Sequence, residues 1–338
     1  MRTRDTMKRI LIVNVNWLGD TLFATPFIRA IREHCPDSYI AVFTHSRCRE
    51  ILEGNPHIDE IIIYDEKGQH KHLLGRLSIV SQLKSKNFDT TFILRRSLSR
   101  TLLLCLSKIP ERIGYATKKS GFLLTKKIPL PPKDLHRVEH FLGLARAGGI
   151  EPENKNYEFF VSEGDRKKAR EILKQEGINP GSDFIVINAG GNWDMKRWPA
   201  ENFARLGDEI FNKLGTKVVL SGAEKDMKLC KDIRGLMKTK PILLCGKTDL
   251  KTLGAVFQRA KLVISNDSGP MHIAVGVKTP VIALFGPTSP RITGPYGDGE
   301  FKILQNEVDC EVPCYKLSCK DNMRMKVIKV EDVLKLIP

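Results

Sequence analysis

No apolar run in this 338-residue chain approaches the 18 or so residues of a membrane span. The longest candidates, Ile10 to Val13 and Val281 to Phe285, have strand length, which argues against a helical membrane protein. Near the start, Asn14, Asn16 and Asp20 interrupt the apolar stretch before any cleavage-like pattern, so the chain is expected in the cytoplasm. Aromatic residues are few, 7%, and scarce between Lys84 and His140, which disfavours a stacking platform for nucleic acid. Five of the eight cysteines (Cys35, Cys48, Cys105, Cys230, Cys245) are dispersed without framework spacing, as thiols of a reducing compartment are. Internal repeats and low-complexity tracts are also missing. After the first strand-like run there is neither G-x-G-x-x-G nor G-x-x-x-x-G-K-[ST], which disfavours a nicotinamide dehydrogenase and a P-loop NTPase.

What the chain has in excess is positive charge, 55 Lys and Arg against 39 Asp and Glu. A surplus of that size predicts an anionic partner: nucleic acid, a phosphorylated substrate or a membrane surface. It is uneven. From Lys84 to His140 there are 13 Lys or Arg against 4 acids, more than half of the net +16.

The length suits two domains. Runs Arg9 to Val13, Tyr39 to Phe43, Ile61 to Tyr64 and Thr90 to Leu94 read as strands too apolar for a half-exposed sheet, with helices such as Thr21 to Glu33 and Leu73 to Lys84 between them. A less regular segment follows Arg95, then a helix over Arg137 to Ala147 stopped by Gly148 and Gly149. A second alternation has strands at Phe184 to Asn188, Lys217 to Leu220, Ile242 to Leu244, Lys261 to Ser265 and Pro280 to Phe285. The expected fold class is α/β: two Rossmann-like, doubly wound domains facing across a cleft, 1–160 and 161–338, joined through a polar stretch around Glu151 to Ser182. Ligands in such sheets sit outside the carboxyl ends of strands.

Four loops at such ends carry candidate chemistry. Asn16-Trp17-Leu18-Gly19-Asp20 offers a carboxylate, either as a helix cap or as a general base. Gly190-Gly191-Asn192-Trp193-Asp194-Met195-Lys196-Arg197-Trp198-Pro199 combines glycines with two cations and can wrap a phosphate, or else simply solvates a loop. Ser221-Gly222-Ala223-Glu224 puts an acid where ribose hydroxyls are held in dinucleotide sites. Ser265-Asn266-Asp267-Ser268-Gly269-Pro270-Met271-His272 joins a strand to a helix whose leading N–H groups suit a diphosphate, with Asp267 or Ser268 able to cap it. His272 is one turn beyond Ser268 on the same helical face.

Together these loops, with Pro280-Val281-Ile282-Ala283-Leu284-Phe285-Gly286-Pro287-Thr288-Ser289-Pro290, resemble glycosyltransferase family 9, the ADP-heptose:lipopolysaccharide heptosyltransferases, most of all their type II branch. The resemblance implies a GT-B fold and inverting, metal-independent transfer from ADP-L-glycero-β-D-manno-heptose, with no cofactor. It implies that Asp20 deprotonates the acceptor, that Lys196 and the backbone of Ser268 and Gly269 hold the departing diphosphate, that Glu224 contacts ribose, that the backbone of Thr248 meets adenine, and that His272 lies near the donor. Gly191, Asn192 and Asp267 belong to the same donor loops. Asp-x-Asp, which would carry a divalent cation under a nucleotide diphosphate, is missing from those loops. Cys310, Cys314 and Cys319 resemble a Cys-rich tail of some members; without a fourth ligand nearby they read as packing or surface thiols rather than a zinc site.

The implied partners are ADP-heptose, a lipid-linked Kdo or heptose acceptor, and the anionic inner face of the cytoplasmic membrane, met by Lys118, Lys119, Lys126 and Lys127; no nucleic acid is expected. Two other readings remain open: transfer from a different nucleotide sugar on the same fold, and a non-catalytic nucleic-acid-binding protein.

Overall fold

The computed structural model describes residues 7–314, 316, 319 and 321–338. The chain divides into two units, Met1–Tyr157 and Glu158–Pro338, three residues before the expected 160/161 boundary. Each unit holds one six-stranded parallel sheet.

In the first unit the elements are β1 (Arg9–Val13), α1 (Leu18–Phe23), α2 (Thr25–His34), β2 (Tyr39–Thr44), α3 (Arg49–Leu52), β3 (Glu60–Ile63), α4 (Leu73–Ser85), β4 (Thr90–Ile93), α5 (Leu98–Leu106), β5 (Glu111–Tyr115), β6 (Lys126–Ile128) and α6 (Arg137–Ala147). Strand order is β3-β2-β1-β4-β5-β6. The chain starts in the middle of the sheet, winds outward to β3, then returns past β1, so the switch point lies between β1 and β4. Ile10 to Val13 and Thr90 to Ile93 are buried on both faces, which is why they read as continuous apolar runs. The helix expected over Thr21 to Glu33 is two helices. Pro26 in the first turn of α2 restarts the helix, while the Ala24 N–H still bonds Asp20 and Thr21 carbonyls behind it. In the segment that looked irregular after Arg95, the structure has α5, β5 and β6.

The second unit runs α7 (Glu163–Gln175), β7 (Phe184–Asn188), α8 (Ala200–Leu214), β8 (Lys217–Ser221), α9 (Met227–Leu236), β9 (Ile242–Leu243), α10 (Leu250–Arg259), β10 (Leu262–Asn266), α11 (Gly269–Gly276), β11 (Val281–Leu284), α12 (Pro290–Thr293), β12 (Phe301–Leu304), α13 (Met323–Lys326) and α14 (Val330–Leu334). Its order, β12-β11-β10-β7-β8-β9, places a switch point between β7 and β10. α7 falls within the polar stretch around Glu151 to Ser182, opened by a capping box in which Ser162 and Asp165 bond each other's backbone N–H. A core of Ile185, Ile187, Trp198, Phe203, Leu220, Ile264 and Leu284, with Val330 and Val333 of α14, fills one side of the sheet. Among the described residues, no helix is long and apolar enough to cross a membrane.

Candidate functional site

In the first unit the loop leaving β1 is pinned from below. The Asn14 amide donates to the hydroxyls of Thr21 and Thr44, each at 3.2 Å. Helix α1 then begins at Leu18 with Trp17 in the capping position, so Asp20 sits inside the first turn. Asp20 is therefore the third helical residue rather than the N-cap, with its carboxylate at the positive end of the helix. Asp20 lines a cavity of about 380 Å³ together with Asn16 and Trp17, at the carboxyl ends of the central strands.

The rest of that lining comes from the neighbouring strand ends, as the winding of the sheet requires. His45 and Arg47 follow β2, Glu66 and Lys67 follow β3, and Arg95 follows β4. The Arg47 guanidinium lies 5.5 Å from the centroid of the half-exposed Trp17 ring. Glu66 is held by Arg100, which is fully buried, at 2.6 Å, with Arg95 at 3.6 Å. Arg100 also donates to the Asn14 carbonyl at 3.2 Å and lies between 5 and 6 Å from the Phe43 and Tyr64 ring centroids. Burial, with Arg95 next, pulls the Arg100 guanidinium below its ordinary value while Glu66 opposes the shift. Burial and then Arg47 lower the imidazole of His45, which favours its neutral form. A carboxylate facing three cations in one cavity can take a proton from a hydroxyl while the cations hold an anionic ligand.

Sequence reasoning found Asp20 in this cavity and missed His45, Arg47, Glu66, Lys67 and Arg95 in its lining, with Arg100 beside Glu66. The signal was available: all five lining residues lie within four positions of a strand end, where an α/β sheet binds ligands.

The second unit brings together most of the residues that the sequence assigns to a donor. Lys196, in the loop between β7 and α8, places its ammonium 2.6 Å from Asp267 just after β10. Asp267 is buried, and the Thr288 hydroxyl donates to the same carboxylate oxygen at 2.6 Å. An ammonium has three donors and this pair uses one, so Lys196 can meet an anion without releasing Asp267. Beside it α11 starts at Gly269 with Ser268 as a cap whose side chain does not close the helix end; the Asn188 amide donates to the Ser268 hydroxyl at 3.3 Å instead. Cation and helix N-terminus thus meet at the switch point, an arrangement that stabilises diphosphate charge.

Asn266 ties the two loops together. Its amide donates to the Ala189 carbonyl at 2.8 Å and its carbonyl accepts the Trp198 N–H at 3.2 Å, while the buried Trp198 ring donates to the Ile328 carbonyl at 3.0 Å. Arg197 donates to the Gly191 carbonyl at 2.8 Å and pairs with Asp194 at 2.7 Å and with Asp226 at 3.4 Å, which fixes the loop from below. Asn192 accepts from Lys225 at 2.7 Å. Glu224 is exposed and lies against Gly246, whose φ of +73° and missing Cβ leave room for the carboxylate. Thr248 is half-buried in the same loop cluster, directly before the Asp249 cap of α10. His272 is buried in α11.

The four lysines assigned to a membrane surface do not all face one way. Lys118 and Lys119 are exposed in a turn. Lys126 and Lys127 are successive residues of the edge strand β6, paired with Ile113 and Gly114, so their side chains leave opposite faces of the sheet. Cys310 and Cys319 are exposed and Cys314 is half-buried, all as free thiols. Among the described residues, no group of three or more His, Cys, Asp or Glu is placed to hold a metal ion.

With this geometry the chain was compared with known proteins. The family model "Glycosyltransferase family 9 (heptosyltransferase)" matches residues 76–322. The chain is 30% identical to lipopolysaccharide heptosyltransferase 3 of Escherichia coli, over 95% of each chain. It is 26% identical to lipopolysaccharide heptosyltransferase 2 of Salmonella typhimurium, over 85% of each. A crystal structure of a family 9 glycosyl transferase from Veillonella parvula superposes with a TM-score of 0.86 at 29% identity, covering 97% of this chain and 95% of that one.

Proposed function

The chain belongs to glycosyltransferase family 9, the heptosyltransferases, and from that premise we propose that it transfers heptose from ADP-L-glycero-β-D-manno-heptose to the inner core of lipopolysaccharide, with inversion and without a metal. The observation that carries this reading is the Lys196–Asp267 pair at 2.6 Å beside the N-terminus of α11. An ammonium with two donors to spare and a helix N-terminus lie together where a nucleoside diphosphate would acquire negative charge as it leaves.

In this reading the second unit binds the donor. Lys196 and the backbone at Ser268 and Gly269 hold the diphosphate, Gly191 and Asn192 shape the loop over it, Glu224 takes the ribose, the Thr248 backbone meets adenine, and His272 supports the helix that carries the anion site. Asp267 positions Lys196. The first unit binds the acceptor. Asp20 accepts the proton of the attacking hydroxyl as its oxygen bonds to the anomeric carbon and the C–O bond to the diphosphate breaks. Arg47, Lys67 and Arg95 meet carboxylates or phosphates of the acceptor saccharide. The acceptor is lipid-linked and heptose- or Kdo-terminated, and the enzyme works at the anionic cytoplasmic face of the membrane, with Lys118, Lys119 and Lys127 toward it. Relatives named heptosyltransferase 2 and heptosyltransferase 3 both match over most of the chain, so both a once- and a twice-heptosylated acceptor belong in the test.

The test offers the protein ADP-, UDP- and GDP-sugars with Kdo- and heptose-terminated acceptors, with and without chelator. Transfer from ADP-heptose that survives chelation and is lost in Asp20→Asn is expected. No transfer from ADP-heptose, or full transfer by Asp20→Asn, overturns the reading.

A further inference from the structure

Most of the exposed large apolar side chains of the first unit, Trp17 and Leu130 apart, lie on α4, α5 and the turn between β5 and β6. Leu73, Leu74 and Leu77 of α4 are 71%, 81% and 51% exposed, and Phe122, in the turn between β5 and β6, is 72% exposed. On α5, Leu98, Leu102 and Leu106 recur every four residues along one exposed stripe. These pieces are contiguous: α4 packs on α5, the Ser107 hydroxyl reaches the Val80 carbonyl at 3.4 Å, and the Cys105 thiol reaches the Leu123 carbonyl at 3.6 Å. A solvated face gains nothing from leucine at such regular spacing, and a patch of this kind marks an interaction surface.

Its charge says what it meets. Between Glu66 and Glu111 nine Lys or Arg stand against one acid, Asp89, whose carboxylate accepts the backbone N–H of Lys8 and Arg9; Lys86, Arg95 and Arg100 are paired with Glu60 and Glu66, which leaves six of the nine. Lys71, Arg76, Lys84, Lys108, Lys118 and Lys119 are all exposed, in or within a few residues of α4, α5 and the Phe122 turn. A second copy docking symmetrically through this face would press like charges together. Leucines rimmed by long cations that can extend to phosphates are the pattern of an interfacial helix surface.

We propose that α4, α5 and the Phe122 turn form a lipid-binding surface that lies in the headgroup region of an anionic bilayer, with the leucines in the acyl boundary and the lysines and arginines at lipid phosphates. This deepens the membrane contact suggested above and rests on that reading for its purpose, not for the binding itself. The two accounts differ in salt dependence. Contact through lysines alone is screened away, whereas leucine insertion persists.

The test sediments the purified full chain with vesicles of phosphatidylcholine alone and of phosphatidylcholine with phosphatidylglycerol. It is run at physiological salt and at 1 M, where the screening length is about 3 Å. Binding to the anionic vesicles that persists in part at 1 M salt is expected. The triple variant Leu74→Ser, Leu77→Ser, Leu102→Ser should bind about tenfold less at both salts, with unchanged melting temperature and unchanged transfer to a soluble acceptor. Lys118→Glu with Lys119→Glu should weaken binding at physiological salt only. Parent-like binding by the triple variant, complete loss of parent binding at 1 M salt, or dimerisation through this face without vesicle binding overturns the proposal. If no nucleotide sugar supports transfer while vesicle binding behaves as described, the functional reading falls and this surface stands.

Discussion

Replacing Lys196 by methionine keeps most of the side chain's length and removes its charge, which separates its two tasks. In the fold Lys196 neutralises Asp267 across 2.6 Å, with the two side chains 22% and 5% exposed. Stripping one partner from a buried pair costs about 3–5 kcal/mol. Here water reaches Lys196 in part and Asp267 keeps the Thr288 hydroxyl, so the expected loss is smaller, about 2 kcal/mol. For a unit of this size that lowers the melting temperature by about 4–8 °C. In the proposed reaction the lysine would meet charge that develops only as the diphosphate leaves, and losing such a preorganised group costs about 100- to 1000-fold in kcat. Asp267→Asn added to Lys196→Met removes the stranded carboxylate. The double variant should recover most of the melting temperature and none of the rate, a coupling that the full cycle of single and double variants measures. Thermal unfolding and steady-state turnover of ADP-heptose provide both readouts. If Lys196→Met melts early but keeps kcat within about threefold of the parent, the lysine is a structural counter-ion and the diphosphate assignment is refuted; recovery of rate together with stability in the double variant refutes it too.

Arg100→Met should cost about 2–4 kcal/mol, because Glu66 loses the buried guanidinium 2.6 Å away and the Asn14 carbonyl loses a donor; urea unfolding with a lowered midpoint and unchanged m-value checks it, and a loss below about 1 kcal/mol would show that Glu66 is adequately served by Arg95 and water. The His140 imidazole, buried against Tyr115, is lowered from 6.5 to about 4 by burial and then by Arg137 and Arg96. Below its unfolded value the unfolded chain takes up a proton that the fold refuses. Stability from this site is therefore intact above about pH 6.5 and is lost as pH falls toward 4, by up to about 3 kcal/mol. Unfolding of the parent at pH 7.5 and pH 5 should differ accordingly, and a His140→Gln variant should show a flatter profile; an unchanged slope removes His140 as its source.

The readable parts of the fold were those where one residue pattern leaves one structural choice. Arg9 to Val13 and Phe184 to Asn188 are strands to the residue, since runs buried on both faces carry no competing period. β5, β6 and β12 were not visible. Gly114 interrupts β5, and β6 and β12 carry lysines because they are short strands at or next to a sheet edge, where charge is tolerated and protective. The helix start near Asp20 was misplaced for a similar reason: a residue type common at helix starts does not say which position of the first turn it occupies, and the helix starts at Leu18.

By itself the sequence determined the α/β class and the two halves, and it pointed to the strand-end loops, Asp20 among them, that the proposed function uses, because glycine, proline and carboxylate at strand ends are local features of ligand-binding α/β sheets. Tertiary structure alone decided which charges act together. Lys196 and Asp267 are 71 positions apart, and the Asp20 cavity draws on four separate loops; strand order brings them together, and one sequence carries no record of strand order. It also decided that Lys126 and Lys127 diverge, since pairing places neighbours on opposite faces of a sheet. Likewise the leucines of α4 and α5 became a surface only once their other faces were buried.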